Sequence, residues 1–267
     1  MAFNKQLFIT RLKKVSIITM WCLLVIGLFV TVAFINKQEQ QTVCTAINVH
    51  IEPEHTASFV DREMILKQIR KDGNEKKILG LNLNSINVPW LEKKLRNNPM
   101  IKTAEVYTDM NGSLNIHIVQ RRPILRLINA FNEHYYLDED GLKMPVSPDY
   151  TAHVPIATGF IFEHGRGRDS AQSSIGKDLF KIATYVDKDT FWNAQIEQIF
   201  VTAEGEVHLI PTIGNQTIIF GDASDVEDKF KRLLLFYQEA MNRVGWETYS
   251  NINVKYKNQI VCKKNNQ

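Results

Sequence analysis

Apolar and polar residues alternate along three segments in the first half of the chain. Residues 43–51 carry isoleucine or valine at every second position toward their end, which predicts a half-buried strand. Residues 104–108 and 114–118 alternate in the same way around an Asp-Met-Asn-Gly turn. They predict a β-hairpin, because Asn-Gly accepts the positive φ angles that a tight turn requires.

Two helical patterns lie between the first strand and the hairpin. Residues 61–72 place isoleucine and leucine on one stripe before Gly73, a residue that often ends helices. The second pattern begins between Ser85 and Val88, has Pro89 in its first turn, and ends at Pro99. The order β-α-α-β-β predicts a small α+β unit in which both helices cover one face of a sheet.

The second half of the chain repeats this mixture of helices and strands. Residues 175–186 keep helical apolar spacing, and three strand-like runs follow at 196–202, 206–210 and 217–220. A long amphipathic helix is predicted next, with a capping box at Ser224–Glu227 and an apolar face that continues to Val244. Two closing strands are predicted by these patterns, and they occupy residues 251–256 and 259–262.

An uncharged apolar run, Val15–Ile35, precedes all of these elements. Its 21 residues span about 31 Å as a helix, which matches the roughly 30 Å hydrocarbon core of a membrane. Four basic residues precede the run, and this predicts a cytoplasmic N-terminus with residues 36–267 on the other side. A cleaved signal peptide is the alternative, since residues 31–33 weakly imitate a cleavage site.

The net charge argues against nucleic-acid binding, and the cysteine content leaves the question of a disulfide open. The net charge of +3, less the four basic residues before the apolar run, leaves about −1 for the rest, so there is no electrostatic footprint for nucleic acid. Cys44 and Cys262 would lie in a compartment that permits disulfides, but nothing in their spacing decides between a bond and two free thiols.

The sequence contains no motif that assembles a catalytic centre. No nucleophile-elbow, serine–lysine or zinc-protease pattern is present. The densest metal-like cluster, His50 and His55 with Glu52 and Glu54, lacks a third patterned ligand and favours a solvated loop. The glycine- and arginine-rich segment Gly165–Arg168 lacks the context of a phosphate cradle and favours a mobile loop. The sequence thus predicts no catalytic residues, no metal site, no cofactor and no small-molecule substrate.

Several short motifs resemble the bacterial FtsQ/DivIB cell-division family in their order and spacing. They are Asn98–Val106, Asn111–Ile118 and Gln120–Pro123 in the first half, then Tyr136–Gly141 and Val154–Gly159. In that family the third motif reads "E-R-x-P", from which Gln120 departs. Each motif alone is weak, and their order after a single apolar run carries the resemblance.

The resemblance implies an α+β protein with a single transmembrane helix, a POTRA domain and a second α+β domain whose sheet is mainly antiparallel. The corresponding boundaries are a cytoplasmic tail at 1–14, the transmembrane helix at 15–35, a spacer at 36–42, the POTRA domain at 43–123 and the C-terminal domain at 124–267.

The resemblance also implies a role and partners. The role is a non-enzymatic scaffold of the division machinery, located at the septum in the inner membrane with its outer domains in the periplasm. The implied partners are the FtsB–FtsL pair, with FtsK and the FtsW–FtsI synthase complex as further candidates, and the POTRA domain is expected to act in recruitment. Alternatives from other classes are a POTRA-bearing envelope assembly or secretion component and an enzyme that acts on peptidoglycan.

The closing segment carries the predicted binding residues. The family's approximate "Y-V-D-L-R-Y" corresponds here to Ile252, Asn253, Val254, Lys255 and Tyr256, preceded by Asn251. The resemblance implies that this edge accepts a partner strand. Lysine lacks the bidentate fork of arginine, so a weaker grip on an acidic partner is expected. The alternative is that the apolar residues of this segment alternate inward as part of the core.

Overall fold

The computed structural model describes residues 16, 19–31, 42–53, 59–70, 78–165, 167 and 169–265. Residue 16 and residues 19–31 are helical and exposed to solvent. No helix within the described ranges has the length and apolar character needed to cross a membrane. Residues 15, 17–18 and 32–35 of the predicted span Val15–Ile35 lie outside the described residues.

The described chain forms two compact units, of which the first is built around a three-stranded sheet. Its strand order is β1-β3-β2. The elements are β1 (Ala46–Glu52), α1 (Arg62–Arg70), a 3-10 turn (Leu83–Ser85), α2 (Val88–Arg96), β2 (Ile101–Thr108) and β3 (Ser113–Gln120). The predicted β-α-α-β-β order is therefore confirmed.

The apolar positions of these elements form the core of the first unit. Ile65 of α1, Leu95 of α2 and Leu114 of β3 are fully buried. The α2 helix begins after Asn87, whose side chain accepts a hydrogen bond from the amide of Trp90 at 3.1 Å. That bond satisfies one of the amides that a helix start leaves unpaired, as the predicted cap requires.

The β2–β3 turn requires glycine at one position. Gly112 has φ +87°, and a Cβ there would lie 2.7 Å from the carbonyl oxygen of Val43. Asp109 closes the turn, because its carboxylate accepts from the amides of Asn111 and Ser113 at 2.9 and 2.8 Å. Both the backbone angle and the close approach exclude a side chain at Gly112.

The second unit contains nine strands and several helices. The strands are β4 (Pro123–Ile128), β5 (His134–Asp138), β6 (Lys143–Pro145), β7 (Ile156–Gly159), β8 (Ile196–Val201), β9 (Val207–Pro211), β10 (Thr217–Gly221), β11 (Tyr249–Asn253) and β12 (Val261–Lys264). The helices are α3 (Ser174–Lys188), α4 (Thr190–Gln195), α5 (Val226–Phe236), a π-helical segment (Tyr237–Met241) and α6 (Asn242–Val244).

One sheet joins all nine strands in the order β12-β11-β10-β9-β8-β7-β4-β5-β6. Pairing is parallel between β10 and β11, β7 and β8, and β4 and β7, and antiparallel between the other neighbours. The prediction of a mainly antiparallel sheet is confirmed.

Aromatic side chains between the helices and the sheet form the centre of this core. Phe230 of α5 lies 4.6 Å from the ring of Tyr185, 4.9 Å from that of Trp192 and 5.0 Å from that of Phe220, measured between centroids. Trp192, Phe220 and Phe230 are at most 1% exposed. The α3 and α5 helices are thus held to the sheet by one aromatic cluster.

The predicted capping box at Ser224–Glu227 is wrong. Asp225 is the residue before α5, with φ +46° and no side-chain bond to the helix. Ser224 instead donates its hydroxyl to the carboxylate of Asp222, which also accepts from the buried Lys229. The predicted apolar face holds through Met241, but Val244 is 46% exposed.

The three cysteines are free thiols. Cys44 is buried, and burial raises the pKa of its thiol. Burial likewise raises the pKa of Cys262. Of the two alternatives for Cys44 and Cys262, the structure has separate thiols.

Candidate partner-binding edge

The nine-stranded sheet ends in two very different edge strands. At one end β6 has only three residues, of which Lys143 and Met144 are buried and the third is Pro145, which has no amide hydrogen to donate. At the other end β12 pairs with β11 on one side, and no described strand pairs with its other side. Because unpaired backbone groups offer a template for another strand, β12 is the edge able to accept a partner.

The predicted binding segment begins in β11, with Ile252 and Asn253, one strand inside this edge. β11 ends at Asn253 and is paired with both β10 and β12, so it is not the open edge that the resemblance implied. Ile252 and Val254 are fully buried. Their burial agrees with the alternative expectation, in which the apolar residues of this segment belong to the core.

Lys255 and Tyr256 follow β11 and reach the surface. The Lys255 ammonium lies 2.8 Å from the carboxylate of Glu206, and this hydrogen bond raises the pKa of Lys255. The same ammonium lies 5.3 Å from the ring centroid of Tyr256, a side chain that is 45% exposed. Asn253 fixes the start of this segment, since its side-chain oxygen accepts from the Lys255 amide at 3.1 Å. The lysine therefore already has an acidic partner within its own chain.

Arg232 of α5 fixes the connection between β11 and β12. Its guanidinium donates to the carbonyl oxygens of Val254, Tyr256 and Gln259 at 3.1, 2.9 and 2.8 Å. It also bonds the carboxylate of Asp228 at 2.9 Å. Sequence reasoning missed this residue. The only local signal is the i,i+4 spacing of Asp228 and Arg232, which predicts a helix pair and no contact with the sheet.

The surface of the edge is basic with one apolar position. Lys263 and Lys264 of β12 are exposed, as is Lys257 in the preceding turn. Val261 is 49% exposed. A strand that adds to this edge would gain main-chain hydrogen bonds from β12, attraction to the lysines for its acidic side chains, and apolar contact with Val261 and Tyr256.

The glycine- and arginine-rich segment Gly165–Arg168 begins with an amide that is bonded to a carboxylate. The Gly165 amide donates to the carboxylate of Glu133 at 3.1 Å, and this bond, with one from Asn129, lowers the pKa of Glu133 to about 2. An amide directed at a carboxylate is not available to a phosphate. Arg166 and Arg168 lie outside the described residues.

Comparison with known proteins places the chain in a family. Residues 122–263, more than half of the chain, match the model described as FtsQ/DivIB, C-terminal related. Residues 42–119 match the model of a POTRA-like domain. The chain belongs to the FtsQ/DivIB family. The family's C-terminal match includes β11, β12 and the connection that Arg232 holds.

Two curated relatives carry the family name. The chain is similar to the cell division protein FtsQ of Rhodothermus marinus, 24% identical over 189 residues, which are 69% of this chain and 68% of that protein. It is also similar to the cell division protein FtsQ of Geotalea daltonii, 26% identical over 190 residues, 70% of this chain and 65% of that protein. These FtsQ/DivIB relatives support the resemblance carried by the sequence motifs.

Proposed function

We propose that this FtsQ/DivIB protein is a non-enzymatic, membrane-anchored scaffold of the bacterial division machinery, and that it binds a partner by strand addition at β12. The observation that carries the proposal is the open, basic edge of the nine-stranded sheet. The names of the two relatives support a role in cell division. A short edge with few side-chain anchors suits an assembly role, because main-chain pairing supplies most of its contacts.

The anchor is the Val15–Ile35 segment. Within it, the described residues 19–31 form a helix whose side chains, such as Leu24 and Phe29, are 60% and 72% exposed. The hydroxyl of Thr31 donates to the carbonyl oxygen of Leu28 at 2.8 Å, which satisfies a polar group within the helix itself. An exposed apolar helix with internally bonded hydroxyls suits a lipid environment. The outer units then lie in the periplasm at the septum.

The expected partner is the FtsB–FtsL pair, with FtsK and the FtsW–FtsI complex as further division proteins that a scaffold would connect. We propose that an acidic extended segment of FtsB–FtsL pairs with β12, and that Tyr256 and Lys255 flank it. Asn253 shapes the turn beside it, and Ile252 and Val254 hold the edge from the core side.

The edge proposal is tested by charge reversal at its surface. Lys263→Glu combined with Tyr256→Ala should weaken binding of the purified full chain to the FtsB–FtsL pair by at least about tenfold, because a like charge opposes an acidic strand and an aromatic contact is lost. Biolayer interferometry measures the affinity, and the melting temperature is recorded in parallel.

Lys181→Glu is the matched control, because it reverses an exposed lysine on α3, away from the strand edge. It should bind like the unmodified chain. Equal affinity for the Lys263→Glu, Tyr256→Ala variant and the control, at equal melting temperatures, would exclude β12 as the docking edge.

A further inference from the structure

The pairing of β1 with β3 brings together residues that are far apart in sequence. Thr45 donates its hydroxyl to the Gly112 carbonyl at 3.2 Å, and the side chains of Asn48 and Asn115 are hydrogen-bonded at 3.0 Å. Both contacts join residues 67 positions apart. Two parallel strands keep a constant sequence separation between neighbouring residues. On the face that carries Asn48 and Asn115, the next pair with this separation is His50 and His117.

These two histidines face each other across β1 and β3. Their ring centroids are 5.1 Å apart and their planes differ by 14°. Glu52, two residues beyond His50 on β1, projects to the same face of the strand. Nitrogen and carboxylate oxygen atoms of His50, His117 and Glu52 all lie within 4.8 Å of one another. His50 and Glu52 are exposed and His117 is half-buried, so an ion from solvent has access.

We propose that His50, His117 and Glu52 form a binding site for a divalent zinc ion on the outer face of this sheet. Two imidazoles and one carboxylate form a common three-ligand zinc set, and water supplies the remaining position. Ligands about 2.1 Å from a tetrahedral zinc lie about 3.4 Å apart, so donor atoms within 4.8 Å of one another need to approach by at most about 1.4 Å. Both His50 and Glu52 are exposed, and rotation of their side chains would provide this approach.

Strand pairing supplies the ligand that sequence reasoning lacked. In the sequence, His50 and Glu52 lie beside Glu54 and His55, and this group lacks a third patterned ligand. His117 is 65 residues beyond Glu52, and only the β1–β3 pairing makes it a neighbour. Glu54 and His55 lie outside the described residues.

The proposed site joins two strands, so a bound ion would stabilise the folded state. An ion held by β1 and β3 together stabilises the folded sheet over the unfolded chain, in which the ligands separate. Zinc would therefore raise the thermal stability of the chain, and the rise would grow with the logarithm of the free zinc concentration above the dissociation constant.

Cobalt and zinc titrations of the purified, metal-free full chain test the proposal. One Co²⁺ per chain should bind with the visible absorption bands of a four- or five-coordinate ion, and Zn²⁺ should displace it. His117→Ala should weaken Zn²⁺ binding at least about tenfold, because one of three ligands is lost. Glu52→Gln should weaken it less, because the amide oxygen of glutamine remains an oxygen donor at the same position.

His153→Ala removes an exposed histidine outside the cluster and is the matched control. It should bind Zn²⁺ as the unmodified chain does. His50→Gln serves as a second variant if His117→Ala does not fold, which far-UV circular dichroism detects. Failure of the unmodified chain to bind Zn²⁺ at micromolar concentration would overturn the proposal, and so would affinity unaffected by both histidine substitutions.

Discussion

The Lys143–Glu163 ion pair is the most deeply buried charge pair among the described residues. The ammonium and carboxylate lie 2.8 Å apart, and the side chains are only 6% and 8% exposed. Glu163 also accepts from the Gln172 amide at 2.7 Å and from the hydroxyl of Ser173. Burial alone would raise the pKa of Glu163, but the bonds from Lys143, Ser173 and Gln172 outweigh burial and lower the pKa.

Glu163→Gln should destabilise the folded chain by about 3 kcal/mol at pH 7, because it leaves the Lys143 ammonium buried without its counter-charge. The folded-state pKa of Glu163 is depressed, so its contribution is present above the unfolded value of about 4.3 and is lost as the pH falls through the folded value. The difference between the variant and the unmodified chain should therefore narrow below about pH 4.3.

Urea unfolding at pH 7 and at pH 3 measures this difference. Glu247→Gln, an exposed glutamate near β11, is the control and should change stability by less than about 0.5 kcal/mol at either pH. A Glu163→Gln penalty that is the same at both pH values would contradict the argument.

The start of α4 has a side-chain cap that the sequence did not predict, whereas the capping box predicted at the start of α5 does not form. Asp189 precedes α4 and accepts from the amides of Phe191 and Trp192 at 2.9 and 3.1 Å. Asp189→Ala should cost about 1 kcal/mol, because two amides lose their acceptor. Ser224→Ala should cost less than about 0.5 kcal/mol, because it removes no bond to the helix start and the hydrogen bond to Asp222 that it does remove is exposed. Thermal unfolding of both variants checks the contrast, and equal losses would count against it.

Elements with a clear apolar period were predictable from the sequence, and elements without one were not. The β2–β3 hairpin and α3 each bury one face, so alternation or helical spacing identified them. β4 is buried at four of its six positions, three of them consecutive, and β5 is buried at all but its first residue. Such strands show no alternation of apolar and polar residues in the sequence. Family motifs marked part of β5 and β7, but periodicity did not.

The candidate edge was predictable only in part. The resemblance predicted that the closing segment binds a partner, and within that segment the Tyr256 side chain is 45% exposed. It did not reveal that β12 covers β11, since strand order depends on pairing between distant segments. Arg232 was missed for the same reason, because its carbonyl partners lie 22 to 27 residues away.

At the scale of the whole molecule, the charges before the apolar run predict the membrane topology. Lys5, Arg11, Lys13 and Lys14 precede the Val15–Ile35 run, and basic residues are retained in the cytoplasm. Alkaline phosphatase fused after Gln267 should therefore be active, because this reporter folds only outside the cytoplasm. The same fusion to a chain that lacks residues 1–35 should be inactive. An inactive full-length fusion, or a mature N-terminus just after Ala33, would contradict this topology.

The lysines of β12 also oppose pairing of this edge with the same edge of a second copy of the chain. Two copies of the chain that met edge to edge would bring Lys263 and Lys264 of one copy against the same lysines of the other. Like charges held that close oppose pairing, and lysine on edge strands commonly guards against fibril-like growth. Neutralising both lysines would leave an exposed strand with Val261 at its start and no electrostatic barrier to self-pairing. The two side chains that are proposed to attract an acidic strand would therefore also oppose self-association of the chain through this edge.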